Sequence, residues 1–397
     1  MTDNARQHWL GVAGLFGVLL VSSGFGFYNL SVYVNVFTEE LNRSVSSVSV
    51  LVSLFFLTGG FAGMYVARLM ERLSIRTVML GGALISGVAL ALCGVVESLW
   101  AIWALFVLFG FGNAGVSIVV STSLIARWFP GPNRSIALSI ASTGLSVGGV
   151  VITPLSAYAL EQSGVAVVMP WLGAAFFLLV LPVVVLCIRE PDDDLPTASD
   201  SVPEEGATSI VRQPFFMLHT LSYVLLMAVQ VGGIAHLYSR AEEIAGYQTA
   251  ALCVQLLSGA SIVSRFIGGF VLTRISAYGF TVANLLLQTA GVAVLGFADS
   301  VTAVTVGAVA FGASVGNLLM LQPLQLAETY GPTALARVFA LANAVTLLGV
   351  AAGPLLFGLV RDSTSYDSAY VLAAVGSGVA LAVLLTAGAA KKRRETG

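Results

Sequence analysis

Charge is what this sequence has least of. Of its 397 residues, 18 are Lys or Arg and 20 are Asp or Glu, 10% in all, against about 25% in soluble globular domains. A soluble chain of this length needs a charged skin, and here hydrophobic residues make up 57%. That shortage excludes a soluble enzyme and a nucleic-acid binder. Cysteine is scarce too. Cys93, Cys187 and Cys253 are an odd set at unrelated spacings inside apolar runs, which argues against a disulfide framework and against a metal site. No Gly-x4-Gly-Lys-Ser/Thr phosphate loop occurs, so ATP is not expected to act on the chain directly, and no cofactor is implied. The net charge of -2 carries little information, because the useful quantity is where the few charges lie.

What the chain has instead is long apolar runs and 42 glycines. A helix needs about 20 apolar residues to cross a hydrocarbon core about 30 Å thick. Runs of that kind lie near 9–37, 47–69, 76–96, 99–126, 134–160, 166–188, 214–239, 247–273, 278–298, 301–326, 334–360 and 368–389. They predict an all-α membrane protein of twelve transmembrane helices, numbered here as spans one to twelve. The first run has no Lys-rich segment before it and no small-residue cleavage site, and it reads as a retained span.

Basic residues orient such a bundle. With the N-terminus in the cytoplasm, the loop arginines and the Lys391-Lys392-Arg393-Arg394 tail fall inside, while Arg43, Arg240 and Arg361 fall outside. An error of one span would mix the two groups, so the split supports an even number of spans with both ends cytoplasmic in a cell membrane. Residues 190–213, rich in Asp and Glu and carrying Pro191 and Pro196, read as a flexible acidic cytoplasmic linker. It divides the chain into a six-helix bundle over 1–189 and a second over 214–397 that ends in the short basic tail.

The halves resemble each other. Phe111-Gly112 returns as Phe311-Gly312, Gly149 as Gly349 and Pro154 as Pro354, and Gly59-Gly60-Phe61 returns as Gly268-Gly269-Phe270. A parallel repeat of six helices implies a pseudo-two-fold axis along the membrane normal with a substrate path between the halves. Gly144, Gly148, Gly149, Pro154, Gly349, Gly353 and Pro354 punctuate spans five and eleven. Small residues there permit sliding helix contacts, expected at the moving interface of the halves; the alternative is ordinary tight packing, and the two are compatible.

Between spans two and three stands Gly63-Met-Tyr-Val-Ala-Arg68-Leu-Met-Glu71-Arg72-Leu-Ser-Ile-Arg76. This resembles the signature loop of the major facilitator superfamily, with Glu71 where that family usually has Asp and Ser74 where it usually has Gly. The resemblance implies the major facilitator fold, two six-helix bundles in pseudo-two-fold relation, and makes Arg68, Glu71, Arg72 and Arg76 a candidate conformational latch. The alternative is plain positive-inside anchoring. Within the superfamily, the chain is similar to the monocarboxylate transporter and oxalate:formate antiporter branch. The residues concerned are Gly24-Phe-Gly-Phe-Tyr28-Asn29-Leu-Ser31-Val-Tyr-Val-Asn35-Val-Phe37, Trp128-Phe-Pro130, Arg134, Gly144 to Pro154, and a single Arg in span eight. Many members of that branch carry an acid four residues before this Arg, and here Ser261 stands there. Where many carry a Lys in span one, Ser31 stands here. Their proton chemistry therefore does not transfer directly.

That Arg is Arg265. It lies nine residues from Arg274 at the cytoplasmic edge, about 13 Å into the core at about 1.5 Å per residue. An unpaired guanidinium at that depth is costly and marks a cavity or a partner. Every acid can be assigned to a loop or a span end, so an anionic substrate is the expected partner, held by the planar fork of the guanidinium. The alternative is a structural Arg satisfied by backbone carbonyls. Further candidates for lining the path are Tyr28, Asn29, Ser31, Asn113, Tyr223, Gln230, Ser261, Asn317 and Gln322, with Asn343 beside them. Each is equally suited to hydrogen-bonding one helix to another. His219 and His236 are candidates for proton coupling.

Together these features imply a secondary transporter of a small mono- or dicarboxylate, acting as a monomer in the lipid bilayer, with no nucleic-acid or ATP partner. A drug or lipophilic-compound exporter with a structural Arg265 is the rival. A membrane enzyme or a transport-dead sensor is a further one.

Overall fold

The computed structural model describes residues 3–70, 72–129, 133–189, 210 and 212–396. Among them every regular element is helical. Ten helical stretches are long and apolar enough to cross a membrane. Two of these, Ile136–Cys187 and Pro214–Val271, are twice the length one crossing requires. Each is a pair of spans, broken at Gly164 and at Ala245-Gly246. That makes twelve. Gly331 breaks spans ten and eleven in the same way. At all three breaks the glycine has φ between 73° and 78°, a region in which a side chain is strained, so a single residue reverses the chain. Glu71, Pro130 and most of the 190–213 linker lie outside the described residues.

Serines start several spans. Ser44 caps Val45–Leu69 through the Ser47 N–H, Ser74 caps Ile75–Leu92 through Thr77, and Ser276 caps Ala277–Gly296 through Gly279. Each supplies an acceptor to an otherwise orphan N–H. This gives Ser74 a role where the resemblance led us to look for glycine.

Two spans depart from straight α-helices. Span one runs as Asp3–Ser23, passes through a π-turn over Gly24–Tyr28, and resumes as Leu30–Glu40. Such turns occur mostly as single bulges, often at functional sites. Span four breaks between Leu99–Ala114 and Ile118–Trp128.

Glycines set the helix contacts within each half. Gly144 and Gly148 of span five lie against the carbonyls of Phe16 and Leu20 in span one. In the second half, Gly349 and Gly353 of span eleven lie against the carbonyls of Val224 and Ala228 in span seven. Likewise Gly110 of span four meets the Phe55 carbonyl in span two, and Gly312 of span ten meets that of Leu257 in span eight. Matching contacts of this kind define the repeat. They pair Gly144 with Gly349 and Gly148 with Gly353, not Gly149 with Gly349. They also give the Gly/Pro stripe of spans five and eleven mainly a packing role. Most of it closes contacts inside a half, and Gly149 alone among these span-five glycines faces the other half.

At Gly148 a Cβ would lie 2.7 Å from the Gly24 nitrogen. Gly148→Val is expected to lower the melting temperature by several degrees, since overpacking costs about 1–3 kcal/mol. Gly63→Ala, with nothing within 4 Å of the added carbon, should leave it unchanged in the same thermal-shift measurement.

Candidate functional site

The two halves meet along spans five and eight in an antiparallel ladder. Nearest the face opposite the termini, the Gln255 amide donates to the Val150 carbonyl at 3.1 Å. Next, Gly149 packs against both the Ser258 hydroxyl and the Tyr28 ring. Ser146 and Ser261 then share a hydrogen bond of 3.3 Å. Arg265 is the last rung. Positions 255, 258, 261 and 265 recur every three or four residues, and so share one face of span eight. Among the described residues, no hydrogen bond joins the halves closer to the terminal face than this rung.

The Arg265 side chain binds two backbone carbonyls: Nε donates to Gly316 in span ten at 3.0 Å, and Nη1 donates to Ser142 in span five at 3.1 Å. The first tie is within the second half, and the second crosses between halves. An Arg has five N–H donors, so further donors stay free of these two bonds. Among the described residues no carboxylate pairs with it. Among the described residues its positive charge is therefore met by neutral dipoles. Tyr28 of span one reaches the same seam. The π-turn delivers that ring to the seam, where it lies against Gly149 and edge-on to Phe27.

The other candidates divide. Ser261 stands on the ladder. Asn29 binds Tyr33 at 3.1 Å and accepts from Ser156 at 2.9 Å, tying span one to span five. Ser31 donates to the Tyr28 carbonyl, and Asn113 accepts from Ser22. Asn317 joins Ser264 to Asn284, and Gln322 donates to Thr346. These contacts stay within a half. Gln230 is fully buried, and by hydrogen-bond geometry neither its amide atoms nor the buried Tyr223 hydroxyl has a partner among the described residues. Asn343 is exposed. Sequence reasoning missed Ser146, Ser258 and the Ser142 carbonyl. Their one available signal was serine at helical spacing on two spans.

The histidines differ from each other. His219 is enclosed in the second half, between the rings of Phe215 and Tyr223, and by hydrogen-bond geometry neither ring nitrogen has a partner among the described residues. His236 sits where the halves meet, bonded to Ser49 of span two. In the latch region, Arg68 and Arg72 are exposed. Arg76 donates to the Ile188 carbonyl at 2.6 Å, a contact within the first half.

Arg240 needs a correction. The charge assignment puts it among loop charges, yet it is 5% exposed within the helix Pro214–Val271. Nε donates to the Leu295 carbonyl at 3.0 Å and Nη2 to that of Ala298 at 2.8 Å, and Nη2 also pairs with Asp367. Span seven is longer than its apolar run. The helix continues through Glu242 to the break at Ala245, which carries Arg240 inward.

Twelve apolar spans in two glycine-packed halves, with polar groups gathered on the seam between them, define a polytopic membrane transporter fold. The family model of the Major Facilitator Superfamily matches residues 15–324. The chain belongs to that superfamily. It is 27% identical over 233 residues to the MFS-type transporter pynF of Aspergillus niger, covering 57% of this chain and 50% of that protein, so it spans about half of that relative's length. It is 26% identical over 364 residues to the multidrug resistance protein MdtG of Dickeya zeae, covering 87% and 85% of the two chains. Among solved structures, a point mutant of the nucleoside transporter NupG superposes with a TM-score of 0.77 at 13% identity, over 95% of this chain and 99% of that one.

Proposed function

We propose that this protein is a secondary transporter of a small organic anion, a mono- or dicarboxylate of the kind the monocarboxylate transporter branch handles. It would work by alternating access between its halves, as a monomer in the cell membrane with both termini cytoplasmic. One observation carries the reading. Arg265 is a cation at membrane depth, on the seam, with no carboxylate partner among the described residues. Neutral carbonyls compensate a guanidinium less well than a carboxylate, which binds its fork through two parallel charge-assisted bonds. An arriving anion competes with the Ser142 carbonyl for Nη1. It thereby exchanges a tie between the halves for a tie to substrate, which couples binding to movement of the seam. Tyr28 and Ser261, on the same seam, would orient the bound carboxylate, and Gln230, whose amide lacks a partner among the described residues, is a further candidate contact.

A second reading has its own support. Among the described residues both hydrogen bonds of Arg265 go to backbone carbonyls, as a purely structural Arg would make, and MdtG is a multidrug resistance protein. Proteoliposomes separate the two. Saturable uptake of a labelled monocarboxylate, inhibited by other small carboxylates and indifferent to lipophilic cations, is the expected result. Uptake of lipophilic compounds with no carboxylate flux in either direction would establish the exporter instead.

A further inference from the structure

His236 lies fully buried at the junction of four spans, on the face opposite the termini. Its Nε2 is 2.9 Å from the Pro354 carbonyl in span eleven and 3.2 Å from Ser49 Oγ in span two, and its Nδ1 is 3.3 Å from the Tyr366 hydroxyl in span twelve. The ring stacks on Phe357 at 5.7 Å. Of these partners, only Ser49 belongs to the first half.

The neighbouring groups assign the protons. Ser49 already donates to the Val45 carbonyl at 2.7 Å, so toward His236 it accepts. The Pro354 carbonyl can only accept. Nε2 therefore carries the hydrogen, shared between both acceptors, and Nδ1 accepts from Tyr366. The neutral ring satisfies every partner in this arrangement. A second proton, on Nδ1, would face a hydroxyl turned toward it and force Tyr366 to rotate. It would also place a cation near Arg361, whose guanidinium lies over the Tyr366 ring at 5.4 Å and pairs with Glu243.

Asp362 is the neighbouring opposite charge. Its two oxygens already accept from the Val45 and Ser46 N–H groups at 3.0 and 2.8 Å, capping span two from the other half. A cleft of about 300 Å³, lined by Asn35, Glu242, Arg361 and Tyr366 among others, leads from the same face to the Tyr366 side chain. In that cleft Asn35 donates to Glu242 at 2.5 Å, a further tie between halves.

We infer that His236 is a proton-operated latch on this face: neutral, it holds span two against spans seven, eleven and twelve, and protonated through the cleft it lets span two go. Tyr366 stands on the proton's route. His219, with no contact to the first half, has no such lever. Resting on the anion reading and its orientation, the latch makes transport a symport. An external proton opens the outer face, and the carboxylate that enters balances its charge.

The test needs no substrate, so it stands or falls apart from the anion reading. Spin labels at Arg43→Cys and Ser363→Cys, with the native cysteines replaced, report the separation of the two halves in nanodiscs. Between about pH 8 and about pH 4, a range extended to the acid side of free imidazole because the surrounding partners favour the neutral ring, the distance distribution should move to longer values. His236→Gln, which keeps an N–H donor and cannot take up the proton, should hold the short distance throughout. Tyr366→Phe deprives neutral Nδ1 of its donor and should move the opening midpoint to higher pH, a readout that stands even if the His236 variant fails to fold. An acid response that survives in His236→Gln, or whose midpoint Tyr366→Phe leaves unmoved while Asp362→Asn or Glu242→Gln abolishes the response, would overturn the assignment.

Discussion

Arg265→Ala is expected to lower carboxylate uptake by about two orders of magnitude or more. A hydrogen bond to a charged group contributes about 1.5–3 kcal/mol. Two lost together amount to about 3 kcal/mol or more, and about 1.4 kcal/mol is tenfold. The loss should fall on kcat/KM for every carboxylate. Arg265→Lys keeps the charge but not the fork, and an intermediate loss of about tenfold is expected of it. A solely structural Arg265 predicts a different pattern. Its removal would free the Gly316 and Ser142 carbonyls, lowering the melting temperature while the surviving folded protein transports normally. Uptake per folded molecule, from the same preparation used for thermal shift, discriminates between the two.

Arg240→Ala should produce the largest loss of stability. Arg240 is 5% exposed and satisfies two carbonyls at the end of span nine, besides pairing with Asp367. Removing one partner of a buried pair costs about 3–5 kcal/mol. Asp367 is the exposed partner, with 62% of its side chain accessible, and exposed pairs contribute about 0–1 kcal/mol. Thermal unfolding should therefore show a fall of about 5 °C or more for Arg240→Ala and little change for Asp367→Asn. Equal effects of the two would mean that the ion pair, not the carbonyl contacts, holds span seven to span nine.

Charge and glycine are the two parts of the sequence that spoke most clearly, for a physical reason. In lipid a charge or a backbone contact has few places to go, so position along the chain maps directly onto depth. The twelve spans, the paired bundles and the isolation of Arg265 all follow from that. What the chain does not display is which helix faces meet across its middle. Ser146 and Ser258 look like any serines in a Gly/Ser-rich membrane helix until the ladder between spans five and eight brings them to the seam. The π-turn at Gly24–Tyr28 is equally silent in the apolar pattern, although the structure packs Gly24 closely against Gly148 there. Arg240 was misplaced for a related reason. Apolar runs mark where hydrocarbon ends, whereas the helix itself runs on to Gly246.

Most of the polar candidates in the spans proved to be helix-to-helix contacts. Asn29, Asn113, Asn317 and Gln322 each find a partner inside their own half. A buried amide must be hydrogen-bonded somewhere, and in a bundle a neighbouring helix is the nearest source. Gln230 is the exception, with no partner for either amide atom among the described residues.

Equilibrium binding tests the central claim most directly, because it bypasses gradients and direction. The wild-type protein in detergent should bind a labelled monocarboxylate saturably, and Arg265→Gln, which keeps uncharged donors at the same position, should lose that binding while keeping the wild-type melting profile. Carboxylate binding by Arg265→Gln at wild-type affinity would contradict it.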